Sequence, residues 1–344
     1  MPAAKRSAAA MPPQPPVTDG EHMDDDNDMD DDDDDADVRH PQKKFFRTRA
    51  HVNVLNANDF WYPPNPAAVP FSDYYPALVA NAAGGGSTSA APPPVEFVDI
   101  GCGYGSLMFE LAKVFKETPM LGIEIRTKVV DYVQKRTLAL REEARKATSA
   151  AAAQAAAHPA DVAAAAAAAD ASCAPTYENV WAVHNNAMRF MPNFFHKGQL
   201  TKLFFCFADP HFKRKNHRKR IVSQALLAEY AYVMRPGGLA YIITDVSDLM
   251  MWIVGHFSQN PLFERLPRGA LTADPAVRTL ILTDEGLKVT RNNGNMYIAV
   301  FRKRLDPLAP REPSPPNDNA DAALAAADAG YTPQAGGERR GMTW

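Results

Sequence analysis

Apolar positions between residues 95 and 303 alternate between two rhythms. Short unbroken runs, VEFVDI (95–100), MLGIEI (120–125), NVWAVH (179–184), KLFFCFA (202–208) and LAYIIT (239–244), are rich in β-branched and aromatic residues, and they predict strands that are apolar on both faces. Between them the spacing changes to three and four. Leu107, Phe109, Leu111, Ala112 and Phe115 predict one helix, and further helices are expected over 127–146, about 217–234 and 245–257. Two late runs, RTLILT (278–283) and NMYIAVFR (295–302), read as additional strands. This alternation of strand and helix predicts a doubly wound α/β sheet.

The flanks break the rhythm. Residues 1–38 carry thirteen acids, eleven of them between Asp24 and Asp37, against Lys5 and Arg6. Such a self-repelling run predicts a disordered acidic tail over 1–40, and the Pro, Ala, Gly and Asp of 305–344 predict a second disordered tail. One domain is left, 41–304, interrupted by a flexible connector at 81–94 and an Ala-rich insertion at about 147–176. The net charge of -3 for all 344 residues conceals the character of that domain. Residues 39–304 hold 32 basic and 21 acidic side chains, an excess of +11 that favours a polyanionic partner. The acidic tail could also lie on that basic surface in place of a substrate, although a charge run is more often only solvated.

Three scattered cysteines, Cys102, Cys173 and Cys206, give neither a disulfide scaffold nor a metal site, and imply an intracellular, reducing compartment. No apolar stretch approaches the roughly 20 residues that a bilayer span needs, so no membrane partner is expected. In PQKKFFRTRAH (41–51), basic residues interleave with Phe45 and Phe46. That pattern suits either a nucleic-acid contact or a basic arm packing its two rings on the core.

In a doubly wound sheet, ligands sit beyond the carboxyl ends of the strands. Polar residues do cluster there: Asp99 with Gly101, Gly103 and Gly105, then Glu124 and Arg126, Asn185 and Asn186, Asp209, and Thr244 with Asp245. The glycines run Gly-x-Gly-x-Gly, an acid precedes them by two positions, and Glu124 follows where a ribose diol would bind. An acid beside the turn would repel a pyrophosphate and attract a sulfonium and an ammonium, which favours S-adenosyl-L-methionine over a dinucleotide. Asp209 ends the fourth strand against HFKRKNHRKR (211–220), in which six of ten residues are Lys or Arg and two are His. The acid is either a turn residue or a group facing a substrate that the cations hold.

Five stretches, VEFVDIGCGYG (95–105), GIEIRTKVVDYVQKR (122–136), NNAMRFMPNFFHKGQLTKLFFCFADPHFKRKNHRKR (185–220), LLAEYAYVMRPGGLAYIITDV (226–246) and LTDEGLKVTRNNGNMYIAVFRK (282–303), together resemble the catalytic subunit of eukaryotic tRNA (guanine-N7)-methyltransferases. The resemblance implies a Rossmann-like class I methyltransferase fold, a mostly parallel seven-stranded sheet with an antiparallel late strand. It implies S-adenosyl-L-methionine as methyl donor and no metal. The substrate would be tRNA, methylated at a guanosine of the variable loop, the partner a WD-repeat non-catalytic subunit, and the compartment the nucleus, with the cytoplasm second. Carried onto this chain, Asp209 matches the catalytic acid. Gly101, Gly103, Glu124, Arg126, Asn186, Ala187, Cys206, Thr283 and Glu285 match cofactor positions. Where the family commonly has Pro before the catalytic acid, this chain has Ala208.

Guanine N7 carries a lone pair and no proton, so methyl transfer to it needs no general base. As positive charge reaches the purine, its N1–H and N2–H₂ edge becomes more acidic, and a carboxylate accepting those hydrogens tightens its hold. Asp209 is the candidate, with Glu285 second. Lys213, Arg214, Lys215, Arg218, Lys219 and Arg220 would meet tRNA phosphates, the more so because a helix N-terminus disfavours cations that have no such task. His211 is either a substrate contact or a structural histidine. A tRNA-binding scaffold without catalysis, an RNA adenine amino-methyltransferase and, more distantly, an oxidoreductase are the rival expectations.

Overall fold

The computed structural model describes residues 40–48, 53–55, 60–83, 93–157, 173–305 and 342–343. The acidic tail up to residue 39, most of the connector, the insertion core at 158–172 and the stretch 306–341 lie outside the described residues. The chain divides into residues 1–37, likewise outside them, and one unit running from Val38 to Trp344.

Short helices α1 (Phe71–Tyr74) and α2 (Pro76–Ala83) precede the sheet, and Tyr75 between them is fully buried with its hydroxyl donating to Met120 O at 2.9 Å. Then strand and helix alternate: β1 (Phe97–Ile100), α3 (Ser106–Val114), β2 (Met120–Glu124), α4 (Thr127–Ala157), β3 (Val180–His184), α5 (Ala187–Phe194) and β4 (Leu200–Cys206). The second half comprises α6 (Gln224–Val233), β5 (Met234–Thr244), α7 (Ser247–Gln259), β6 (Phe263–Arg265), α8 (Arg268–Leu271), α9 (Pro275–Leu280), α10 (Asp284–Arg291) and β7 (Met296–Lys303). A two-residue β8 (Met342–Thr343) pairs in parallel with the start of β7.

The strand order is β3-β2-β1-β4-β5-β7-β6. β1 to β5 are parallel, β7 runs antiparallel to β5, and β6 antiparallel to β7. Every residue of β1 and β2 is buried, which explains why those strands are continuous apolar runs: helices cover both faces of a parallel sheet. One core lies under α5, α6 and α7, with Phe205, Tyr230, Phe257 and Phe301 at its centre. The other lies under α3, α4 and α9, with Phe109, Tyr132, Phe204 and Leu280. The order reverses between β1 and β4, so a cleft opens beyond their carboxyl ends.

Two elements differ from the sequence-based expectation. Residues 278–283 are not a strand; Pro275–Leu280 is helix α9. Asp274 Oδ1 accepts from Ala276 N at 2.9 Å, Pro275 occupies the first helical position, and Ala276, Val277 and Leu280 turn into the core. That capping overrides the strand propensity of Thr and Ile. The helix expected over 217–234 starts only at Gln224, where Ser223 Oγ accepts from Leu226 N at 3.3 Å. The basic run is instead a 3-10 turn, Arg214–Lys219, so its cations do not crowd an α-helix N-terminus.

Helix α4 continues eleven residues past 146, into the Ala-rich insertion. Its buried positions stop at Arg141, and beyond that the Ala-rich sequence continues the helix without a buried face, on propensity and a few surface ion pairs such as Arg145–Glu142. Arg141 is 3% exposed and donates to the carbonyls of Tyr74 at 2.8 Å and Val180 at 2.9 Å, with Glu178 Oε2 at 3.3 Å. One guanidinium thus ties α4 to the chain on the far side of the insertion. Among the described residues no helix is long and apolar enough to cross a membrane.

Candidate active site

A cavity of about 700 Å³ opens at the carboxyl ends of the parallel strands. Its floor is the turn after β1. Gly101 and Gly103 take φ of +72° and +52°, where a side chain is strained, and a Cβ on Gly101 would meet nothing within 4 Å because it points into the open cleft. Asp99, just before the turn, is 3% exposed, and its Oδ1 has no hydrogen-bond partner. Burial, and then the nearby Glu124, push its carboxyl up to about 7. A buried acid with an unanswered oxygen beside an open cradle suits a ligand that brings positive charge.

Glu124 ends β2 and is equally buried. Oε1 accepts from Ile125 N, Arg126 N and Arg126 Nε at 2.9–3.0 Å, and Oε2 from Gly103 N at 3.0 Å and Arg126 Nη2 at 3.2 Å. The carboxylate clasps the glycine turn, and a ribose diol reaches it only by displacing the Arg126 guanidinium. Asn186 caps α5: Oδ1 accepts from Met188 N at 3.0 Å while Nδ2 donates to Val54 O at 2.8 Å. Its side chain is therefore occupied, whereas Ala187, first in the helix, has an N–H without an intrahelical acceptor. Cys206 walls the end of β4, its thiol pushed well above the ordinary value by burial and then by Asp99.

Asp209 stands on the loop after β4. Oδ1 accepts from His211 N at 3.1 Å, and His211 Nδ1 lies 3.7 Å from Oδ2. The carboxylate shapes its own turn, as one of the two sequence readings expects, and it also lines the cavity. Across the cleft, Thr283 caps α10 by accepting from Gly286 N at 3.1 Å while it donates to Leu280 O at 3.0 Å. Glu285 follows on the same helix, paired with Lys288 at 3.2 Å. All ten expected catalytic and cofactor positions, Gly101, Gly103, Glu124, Arg126, Asn186, Ala187, Cys206, Asp209, Thr283 and Glu285, line this one cavity.

The basic run divides by burial. Lys213, Arg214, Lys215 and Arg218 are exposed, and Lys219 lines the cavity rim with His211. Among the described residues none of these five cations is in an ion pair with an acid. Arg220 departs from the expectation. It is 5% exposed, its Nε donates to Pro210 O at 2.8 Å, and its guanidinium lies 4.7 Å from the centre of the Trp252 ring. Committed in that way, it is not placed to meet a phosphate.

Several lining residues escaped the sequence reading. Tyr104, inside the glycine motif, donates to Phe46 O at 3.3 Å, and Ser106 Oγ accepts from Asp284 N at 3.2 Å. Lys43 pairs with Asp284 and lies over the Tyr104 ring, so the Lys43–Phe46 turn packs beside the glycine turn. The glycine motif that contains Tyr104 was the signal that could have found it. Nothing in the letters flagged Val54, which lines the cavity with its carbonyl accepting from Asn186 Nδ2.

Residues 93–299 match a family model described as putative methyltransferase. Curated relatives named tRNA (guanine-N(7)-)-methyltransferase are similar over most of their length. The Aspergillus oryzae protein is 43% identical over 304 residues, which cover 79% of this chain and 91% of that one. The Bos taurus protein is 43% identical over 288 residues, 80% and 94% of the two chains, and the Homo sapiens protein 43% over 282, 79% and 92%.

Proposed function

This chain belongs to the family of tRNA (guanine-N(7)-)-methyltransferases, and from that membership we propose that it methylates N7 of guanosine 46 in the variable loop of tRNA. The donor is S-adenosyl-L-methionine, which when bound supplies an electrophilic methyl group on a sulfonium. The observation that carries the reading is a single cavity lined both by the orphaned Asp99 oxygen and by Asp209, with a basic turn at its rim.

Asp99 would face the cationic end of the donor, Gly101 and Gly103 would let it approach the backbone, and Glu124 would take the ribose hydroxyls once Arg126 moves aside. The first residues of α5, Ala187 among them, would border its adenine. Asp209 would accept the N1–H and N2–H₂ edge of the guanine, with Glu285 as second acceptor. No residue has to remove a proton from N7. Aligning the nucleophile with the methyl carbon and sulfur can contribute roughly 7–11 kcal/mol, and Asp209 adds stabilisation that grows as positive charge develops on the base. Lys213, Arg214, Lys215, Arg218 and Lys219 would meet the phosphates that accompany a presented base.

The reading extends to a WD-repeat non-catalytic partner and to residence in the nucleus; both rest on the family resemblance in the sequence. Borohydride and aniline cleavage of tRNA after incubation with the full chain, alone and with a WD-repeat subunit, tests it. Cleavage at the variable-loop guanosine is expected, and tRNA that stays intact in both arms refutes the assignment.

A further inference from the structure

Arg220 differs in kind from the five cations that precede it. Those are exposed or on the rim; this one is enclosed, with Pro210 O on one side and the Trp252 ring against its plane. Burial lowers its pKa, and the charge of Asp248 in the first turn of α7 opposes that. Trp252 is itself fixed, donating Nε1–H to Val222 O at 2.9 Å. The Arg220 N–H donates to His217 O at 3.0 Å, and the His217 ring packs 5.2 Å from Trp252. The basic turn is therefore a loop closed at its base, with Pro210 at one end and Arg220 at the other.

Two non-glycine residues with left-handed backbone, Phe207 at φ +50° and His211 at φ +45°, bracket Ala208-Asp209-Pro210. L-residues persist in that region only where their surroundings over-determine it. At the upstream end Phe207 N donates to Ile243 O at 2.8 Å, anchoring the loop to β5. At the downstream end Arg220 ties the Pro210 carbonyl to α7 through its packing on the Trp252 ring. Within the loop the carboxylate is bonded to His211 N, and these two anchors hold the loop itself to β5 and α7.

We propose that Arg220 is a positioning residue, a clasp between the Pro210 carbonyl and Trp252 that holds Asp209 in its working pose and fixes the basic turn relative to it. The proposal rests on the assignment of Asp209 under Proposed function. It predicts that phosphate contact by Lys213 to Lys219 and base contact by Asp209 are set by one rigid unit.

Three variants of the full chain separate the possibilities. Arg220→Met keeps the stem on Trp252 and removes the donor to Pro210; Arg220→Lys keeps the charge without the guanidinium fork; Asp209→Asn is the reference. With Arg220→Met, single-turnover methylation at saturating tRNA is expected to fall about tenfold to a hundredfold, as misplacement near 1 Å does. The tRNA Michaelis constant, its salt dependence, and cofactor affinity by calorimetry stay within about threefold, since no phosphate contact is lost. Amide hydrogen exchange over 207–213 speeds up in both Arg220 variants, a readout independent of turnover. Turnover within about twofold of wild type with unchanged exchange overturns the clasp. So does a raised Michaelis constant with a flattened salt dependence, which would make Arg220 a phosphate contact. If Arg220→Met does not fold, Arg220→Lys carries the same test. Normal turnover by Asp209→Asn sinks the Asp209 assignment, whereas a dead Asp209→Asn with active Arg220 variants sinks the clasp alone.

Discussion

Asp99 and Asp209 border the same cavity, yet their surroundings give them opposite characters. Asp209 is part of a polar turn beside a cationic rim, while Asp99 is buried, and its carboxyl rises from an ordinary 3.8 to about 7. The sign of the consequence follows from linkage. Between roughly pH 4 and 7 the folded protein without donor holds a proton that the unfolded chain has released, so this group's contribution to stability declines as pH rises through that window. A cationic donor prefers the ionised carboxylate, so its affinity should increase with pH up to about 7 and then level off, with a proton released on binding below that point. Calorimetry in buffers of different ionisation enthalpy measures the proton directly. Asp99→Asn, which deletes a charge-assisted contact of about 1.5–3 kcal/mol, should weaken donor binding above pH 7 and flatten the profile. A profile in the variant as steep as that of the wild type would show that another group titrates.

At this scale the sequence was legible in part. Asp209 could be found because an apolar run stops on it, and Glu124 because it closes the second strand. Arg220 could not be told from Arg218, because identical letters in one basic run say nothing about which guanidinium the fold encloses. The hydroxyl of Thr283 and the amide of Asn186 were equally opaque: both line the cavity, and both are taken up in capping the helices that follow them.

Among the elements, helix α4 shows how a local pattern and a tertiary contact share the work. Its first half is amphipathic and buried; its second half is Ala-rich, has no buried position, and suits a helix by propensity. Arg141 marks the change and joins the helix to residues 177–180 on the other side of the insertion. Arg141→Ala would leave several buried carbonyls without a donor and Glu178 with only the longer contact to Arg145 Nε at 3.8 Å. A loss of about 3–5 kcal/mol in urea unfolding is expected, with donor affinity of the folded fraction unchanged. A loss under about 1 kcal/mol would mean that water replaces the guanidinium. The five parallel strands were readable because burial on both faces demands unbroken apolar runs. The 278–283 segment was misread because Thr, Ile and Leu satisfy strand and helix alike, and the deciding signal, Asp274-Pro275, lay upstream of the run. Strand β6 spans only three residues, too short for any periodicity.

For the molecule as a whole, the excess of +11 over residues 39–304 sets how it meets tRNA. Affinity should fall steeply with salt, each phosphate contact contributing a slope of about one. Lys213→Ala combined with Lys215→Ala, both exposed, should raise the tRNA Michaelis constant and reduce that slope by about two, with donor affinity and melting temperature unchanged. An unaltered slope would place the phosphates elsewhere. The chain alone determined the alternation of strand and helix, the glycine turn, the acids at strand ends and the density of positive charge, because periodicity, backbone permissiveness and charge are properties of residues in order. Only the folded structure decided which acid loses its solvent, which arginine becomes an internal tie and which loop reaches the cleft from residue 54. Burial and hydrogen-bond partnership depend on segments far apart in the chain meeting at one place, and no stretch read by itself contains that information.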